Sequence, residues 1–152
     1  MNSDALLAYF HFIAIIGMAS MLSAEFAALA NRNSAIGLRR LKRLDGMYGL
    51  FALLTLASGI ARLLWGAKGS AFYLSNPVFH TKLSLFVLAG LMSIYPTIQY
   101  FKWTEAVNKD VRYAPPVAGV ARVRSLIITQ LVLLAAIPLA ATLMARGVGM
   151  AS

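Results

Sequence analysis

The chain has 152 residues, with 14 Lys and Arg against 5 Asp and Glu, 60% hydrophobic and 12% charged residues, and no cysteine. Soluble domains carry about 25% charged residues. Half that charge and a surplus of apolar residues exclude a disordered chain, a disulfide scaffold and a water-soluble globule. The lack of cysteine excludes iron–sulfur clusters, thiolate zinc sites and cysteine nucleophiles.

A spanning helix needs about 20 mostly apolar residues. Four stretches qualify: Ala5 to Ala30, Gly46 to Trp65, Val78 to Phe101 and Val123 to Ala145. They predict an all-α, integral membrane four-helix bundle in a single transmembrane domain over 1–152. The first stretch has no basic leader and carries Glu25 near its far end, so it reads as a retained helix rather than a cleaved signal.

Lys and Arg are unevenly shared among the connections. Arg32, Arg39, Arg40, Lys42 and Arg43 precede the second span, and Lys102, Lys109, Arg112, Arg122 and Arg124 lie between the third and fourth. The loop before the third span has only Lys68, and the C-terminus only Arg146. Basic loops stay in the cytoplasm, which puts both termini outside a bacterial inner membrane. The net charge of +9 is therefore topological and meets lipid headgroups. No nucleic-acid partner is expected.

Charged and imidazole side chains inside a span cost roughly 2.5–3.5 kcal/mol each on insertion scales, so each needs a reason. His11 sits in the first span, Arg62 near the end of the second, and His80 and Lys82 at the start of the third. At 1.5 Å per residue all four fall within about 10 Å of the outer boundary. His11, Met18 and Glu25 share one helical face by their spacing of seven, as do Tyr48, Thr55 and Arg62. His80 and Lys82 stand about 200° apart on an ideal helix.

Imidazole is a common protein ligand of heme iron. The chain has two histidines, on different helices at one level, so His11 and His80 are candidate metal ligands of a bis-histidine heme b. Ala14, Gly17, Ser58, Gly59 and Gly90 would admit a flat macrocycle. Tyr9, Phe10, Phe12, Trp65, Phe72, Tyr73 and Phe79 would wall it. Arg62, Lys82 and Lys68 are candidate partners for its propionates or for an anionic substrate. Plainer readings stand beside these. His11 can bond a neighbouring helix, His80 can be an interfacial residue, and Arg62 and Lys82 can snorkel. Trp65, Tyr73 and Phe79 read first as an interfacial belt. Glu25 is either paired with a basic loop residue or a proton relay with Gln130, Gln99 or Tyr48. Pro96 and Pro138 are expected to kink their spans or widen a cavity. Phosphate loops, nucleophile elbows and HExxH motifs are absent.

The run Tyr9-Phe10-His11-Phe12-Ile13-Ala14-Ile15-Ile16 resembles the opening of HemJ-type protoporphyrinogen oxidases. Leu41-Lys42-Arg43-Leu44 before the second span, and Phe79-His80-Thr81-Lys82-Leu83 with its His-x-Lys-Leu motif, extend the likeness from the N-terminus through the third span. The whole chain also resembles a group of small bacterial four-helix membrane proteins with no assigned activity. The HemJ resemblance implies a helical bundle, heme b and oxidation of protoporphyrinogen IX, with His11, His80 and Lys82 at the motif positions. The expected function is electron transfer or porphyrin oxidation, coupled to a quinone or another membrane acceptor. The alternative is a non-enzymatic small transporter or accessory subunit. Small residues on several faces permit a homo-oligomer.

Overall fold

A computed structural model describes residues 3–65, 74–75 and 77–146. Lys68, Phe72, Tyr73 and Asn76 lie outside the described residues. Four long helices run in succession: α1 (Ser3–Ala28), α2 (Ala35–Trp65), α3 (Pro77–Lys109) and α4 (Val117–Ala145). A single 3-10 turn, Leu29–Asn31, follows α1. All four helices are long and apolar enough to cross a membrane. The protein is an all-α membrane four-helix bundle.

The helices outrun the apolar stretches that mark them in the sequence. Helix α2 starts at Ala35, not Gly46, and α3 continues to Lys109. The 31 residues of α2 give about 46 Å, against a hydrocarbon core of about 30 Å. Hydropathy sees only the lipid-immersed part, whereas the helix persists wherever one face stays buried. Leu38 and Leu41 of α2, Trp103 and Val107 of α3, and Val120 and Val123 of α4 form that buried face. The basic clusters expected on loops therefore mostly ride on helix extensions, around a short turn at 32–34 and a connection at 110–116.

The tight turn between α1 and α2 depends on two small residues. The Ser34 hydroxyl accepts a hydrogen bond from the Gly37 N–H at 3.0 Å, which caps α2. A Cβ on Gly37 would collide with the carbonyl oxygen of Asn31. The closest helix pairs are α1 with α2 and α3 with α4, followed by α2 with α3 and α1 with α4. The helices thus form a ring in which α1 lies diagonal to α3, and α2 to α4. At the basic end, Arg39 of α2 donates from Nε and Nη2 to Asn108 Oδ1 of α3, at 3.2 and 2.8 Å. Lys42 there lies 4.1 Å from the Phe101 ring centre.

Packing is uneven along the bundle. The largest fully buried side chains, among them Leu38, Leu41, Tyr100, Trp103, Val123 and Ile127, gather between the basic end and the level of Met18. Towards the other end the buried side chains are fewer and smaller, such as Ala14 and Ala89. The outer surface is apolar, with Ile16, Leu53, Leu91 and Val132 exposed as lipid-facing side chains. Both α3 and α4 continue as helix through their prolines, with Pro96 buried and Pro138 exposed.

Candidate functional site

Polar side chains inside the bundle gather at two levels. The first lies towards the end opposite the basic clusters. His11 is half-buried between α1 and α2, and its Nδ1 is 2.8 Å from Ser58 Oγ. Gly59 makes room for the ring, because a Cβ there would stand 3.3 Å from His11 Cε1. Arg62 of α2 and Lys82 of α3 are the cations whose fields reach His11. Arg62 is half-buried, and its Nε is buried without a hydrogen-bond partner. Arg62 and Lys82, on two other helices, thus lie within electrostatic range of His11.

His80 is placed differently. Its side chain is exposed, and its Nε2 lies 2.9 Å from the Leu74 carbonyl. A carbonyl only accepts, so Nε2 carries the hydrogen there and has no lone pair to offer a metal. Ser84, which shares its face, is exposed as well. Of the two residues on either side of the angular offset, His80 is exposed and Lys82 half-buried, within electrostatic range of His11. With its Nε2 on the Leu74 carbonyl, His80 keeps a lone pair only on Nδ1, and its exposed ring is not turned into the bundle as that of His11 is. The aromatic walls also differ from expectation. Tyr9, Phe10, Phe12 and Trp65 are 56–71% exposed and face outwards, as belt residues do. Gly90 is exposed, with nothing near its Cβ position.

The second level lies nearer the basic end. Glu25 of α1 is 1% exposed and Asp45 of α2 is 6% exposed. Tyr48 of α2 and Gln130 of α4 are buried beside them, and the Tyr48 hydroxyl donates to Gln130 Oε1 at 3.3 Å. The Thr97 hydroxyl of α3 donates to Asp45 Oδ1 at 2.9 Å. The Tyr100 hydroxyl of α3 lies beside the Glu25 carboxyl, yet neither it nor Glu25 Oε1 completes a hydrogen bond of good geometry. Gln130 Nε2 is likewise buried without a partner. Neither carboxyl is paired with a Lys or Arg among the described residues. The ion pair at this end is the exposed Lys109–Glu105, 2.7 Å apart.

Both diagonals of the bundle cross at this centre: α2 reaches α4 through Tyr48 and Gln130, and α1 reaches α3 through Glu25 and Tyr100. The shared face of His11, Met18 and Glu25 is the inward face of α1, as the spacing predicts. Tyr48 and Thr55 are buried and Arg62 half-buried along α2, while Trp65 departs from their face at 71% exposure. Glu25 is not paired with a basic loop residue, and of its expected companions Tyr48 and Gln130 are present while Gln99 is only half-buried. The sequence reading missed Asp45, Thr97 and Tyr100. The three–four–three spacing of Leu38, Leu41, Asp45 and Tyr48 is the signal that places Asp45 on a buried helical face.

Residues 3–149 match a family described as predicted membrane protein (DUF2214). The chain belongs to the DUF2214 family. No curated protein and no solved structure matches it. In this DUF2214 protein the match covers all four helices and both polar levels, and it extends beyond the part that resembles HemJ-type oxidases.

Proposed function

We propose that this protein binds heme b, or a related porphyrin carrying carboxylates, at the level of His11, Arg62 and Lys82. The observation that carries this reading is the buried, unpartnered Arg62 Nε beside His11. A guanidinium N–H held without an acceptor in an apolar bundle is costly, and a carboxylate would satisfy it. The Ser58 hydroxyl donates to the Leu54 carbonyl at 2.6 Å, so its oxygen accepts from His11 Nδ1–H. That leaves the lone pair on His11 Nε2, the atom a metal would take.

Bound heme would supply one-electron chemistry, which no side chain of this protein offers. Electron transfer, or oxidation of protoporphyrinogen IX as in the HemJ-type proteins it resembles, is the reaction class, with a quinone or another membrane acceptor as partner. His11 would hold the ring, and Arg62 and Lys82 would fix its acidic edge. The distribution of Lys and Arg supports a bacterial inner-membrane location with the basic end in the cytoplasm and both termini outside.

Titration of the detergent-purified protein with hemin tests the reading. A Soret shift that saturates, with about tenfold weaker binding in Arg62→Gln, is expected from one lost charge-assisted contact. Binding that ignores both Arg62→Gln and His11→Ala overturns it. A second reading, a small transporter or accessory subunit without redox chemistry, is favoured by the polar centre shared by all four helices. A folded protein that stays colourless after expression with ample heme selects that reading.

A further inference from the structure

The centre around Glu25 is separate from the His11 level. Glu25 lies fourteen positions along α1 from His11, about 21 Å of helix. Two carboxyl groups lie here in each other's field, inside a bundle whose exterior is lipid-facing. Ionised together, they would repel each other in a medium that screens poorly, with no cation to offset the charge. The other groups facing them are neutral: Tyr48 from α2, Thr97 and Tyr100 from α3, and Gln130 from α4. The nearby cations are engaged with aromatic rings. Lys42 lies over Phe101, Arg122 over Tyr95 and Arg124 over Phe26.

Polar atoms around the carboxyl point to an exchangeable occupant. Tyr100 Oη and Glu25 Oε1 lie beside each other without a hydrogen bond of good geometry, Gln130 Nε2 is buried without a partner, and all three residues are at most 1% exposed. Incompletely bonded groups around one carboxyl suit a proton with the water that carries it. A surface groove adjoins the centre through Thr97. The groove, of about 600 Å³ between α2 and α3, is lined by Lys42, Thr97, Phe101, Lys102, Glu105 and Asn108. Lys102, Glu105 and Asn108 are exposed along it, and Thr97, which lines it, donates a hydrogen bond to the buried Asp45.

We propose that Glu25 and Asp45 form a buried proton-binding pair, loaded through Asp45 from the groove at the basic end of the bundle. A hydronium in the groove gives its proton to the Asp45 carboxylate and leaves as water. The proton is then shared with Glu25, so the pair holds a single negative charge. Tyr48, Tyr100 and Gln130 supply the hydroxyl and amide groups that surround it.

Infrared spectroscopy of the full chain in lipid nanodiscs reads this directly. Difference spectra against Glu25→Gln and Asp45→Asn remove the contribution of the other acidic residues, so the protonated-carboxyl carbonyl band that remains belongs to the pair. The expected result is such a band at neutral pH, lost in Glu25→Gln or Asp45→Asn and lost on alkaline titration. Thr97→Val leaves both carboxyls in place and removes the donor to Asp45. It is expected to shift the band, which keeps the test decisive if the charge-neutral variants do not fold. Absence of the band in the folded wild type overturns the proposal. So does a band unchanged in the folded variants. Loss of the band on adding sodium at fixed pH also overturns it, because the occupant is then a metal cation.

Discussion

His11 Nδ1 and Ser58 Oγ stand 2.8 Å apart across the α1–α2 contact, and the Ser58 hydrogen is spent on the Leu54 carbonyl. With the hydroxyl hydrogen so placed, Nδ1 donates to Ser58 and Nε2 keeps the lone pair. Ser58→Ala removes the acceptor. Interhelical hydrogen bonds in membranes average about 0.6 kcal/mol, so the stability loss should be small. The clearer readout is the ¹⁵N spectrum of His11, which should show the Nδ1–H form in the wild type and a mixture of tautomers in Ser58→Ala. A wild-type ring that carries its hydrogen on Nε2 contradicts this arrangement.

Glycines in α2 should respond to alanine with opposite signs. Gly46 and Gly49 have nothing within 4 Å of an added Cβ, so Gly46→Ala and Gly49→Ala should stabilise by up to about 1 kcal/mol each through helix propensity. At Gly37 the added Cβ meets the Asn31 backbone, which cannot yield without opening the turn. Gly37→Ala should therefore destabilise, and by more than the roughly 1 kcal/mol expected for loss of the cap in Ser34→Ala. Thermal unfolding in detergent measures all four variants.

The lack of native cysteine makes topology easy to measure. Asn33 and Ser75 are exposed at opposite ends of the bundle. In intact cells a membrane-impermeant thiol reagent should label Ser75→Cys at once, and Asn33→Cys only after permeabilisation. The reverse pattern would place the basic end outside.

Much of this arrangement is legible in the sequence, and the gaps have physical causes. The heptad spacing of His11, Met18 and Glu25 identifies the inward face of α1 because that stripe is polar enough to stand out. Helix α3 carries His80, Thr81, Lys82 and Ser84 on different sides near its start, so spacing alone cannot say whether His80 or Lys82 turns inwards. In the structure His80 is exposed, and Lys82 is half-buried within electrostatic range of His11. Asp45 was hidden for a different reason. It follows Arg43 and Leu44 just before the apolar stretch, where hydropathy reads an interfacial loop. The helix runs through that position and carries the carboxyl into the core. Tyr100 and Thr97 were hidden because an aromatic and a threonine near a span border read equally well as belt residues. Their role appears only when the diagonal helices are brought together.

The claim that most of the functional account rests on is a heme held by His11. A reduced-minus-oxidised absorption spectrum of purified wild type, His11→Ala and His80→Ala, with heme and protein quantified in each, tests it most directly. The account predicts a b-type spectrum in the wild type and in His80→Ala, and its loss in His11→Ala. A spectrum retained in His11→Ala, or absent from a folded wild type expressed with ample heme, would contradict it.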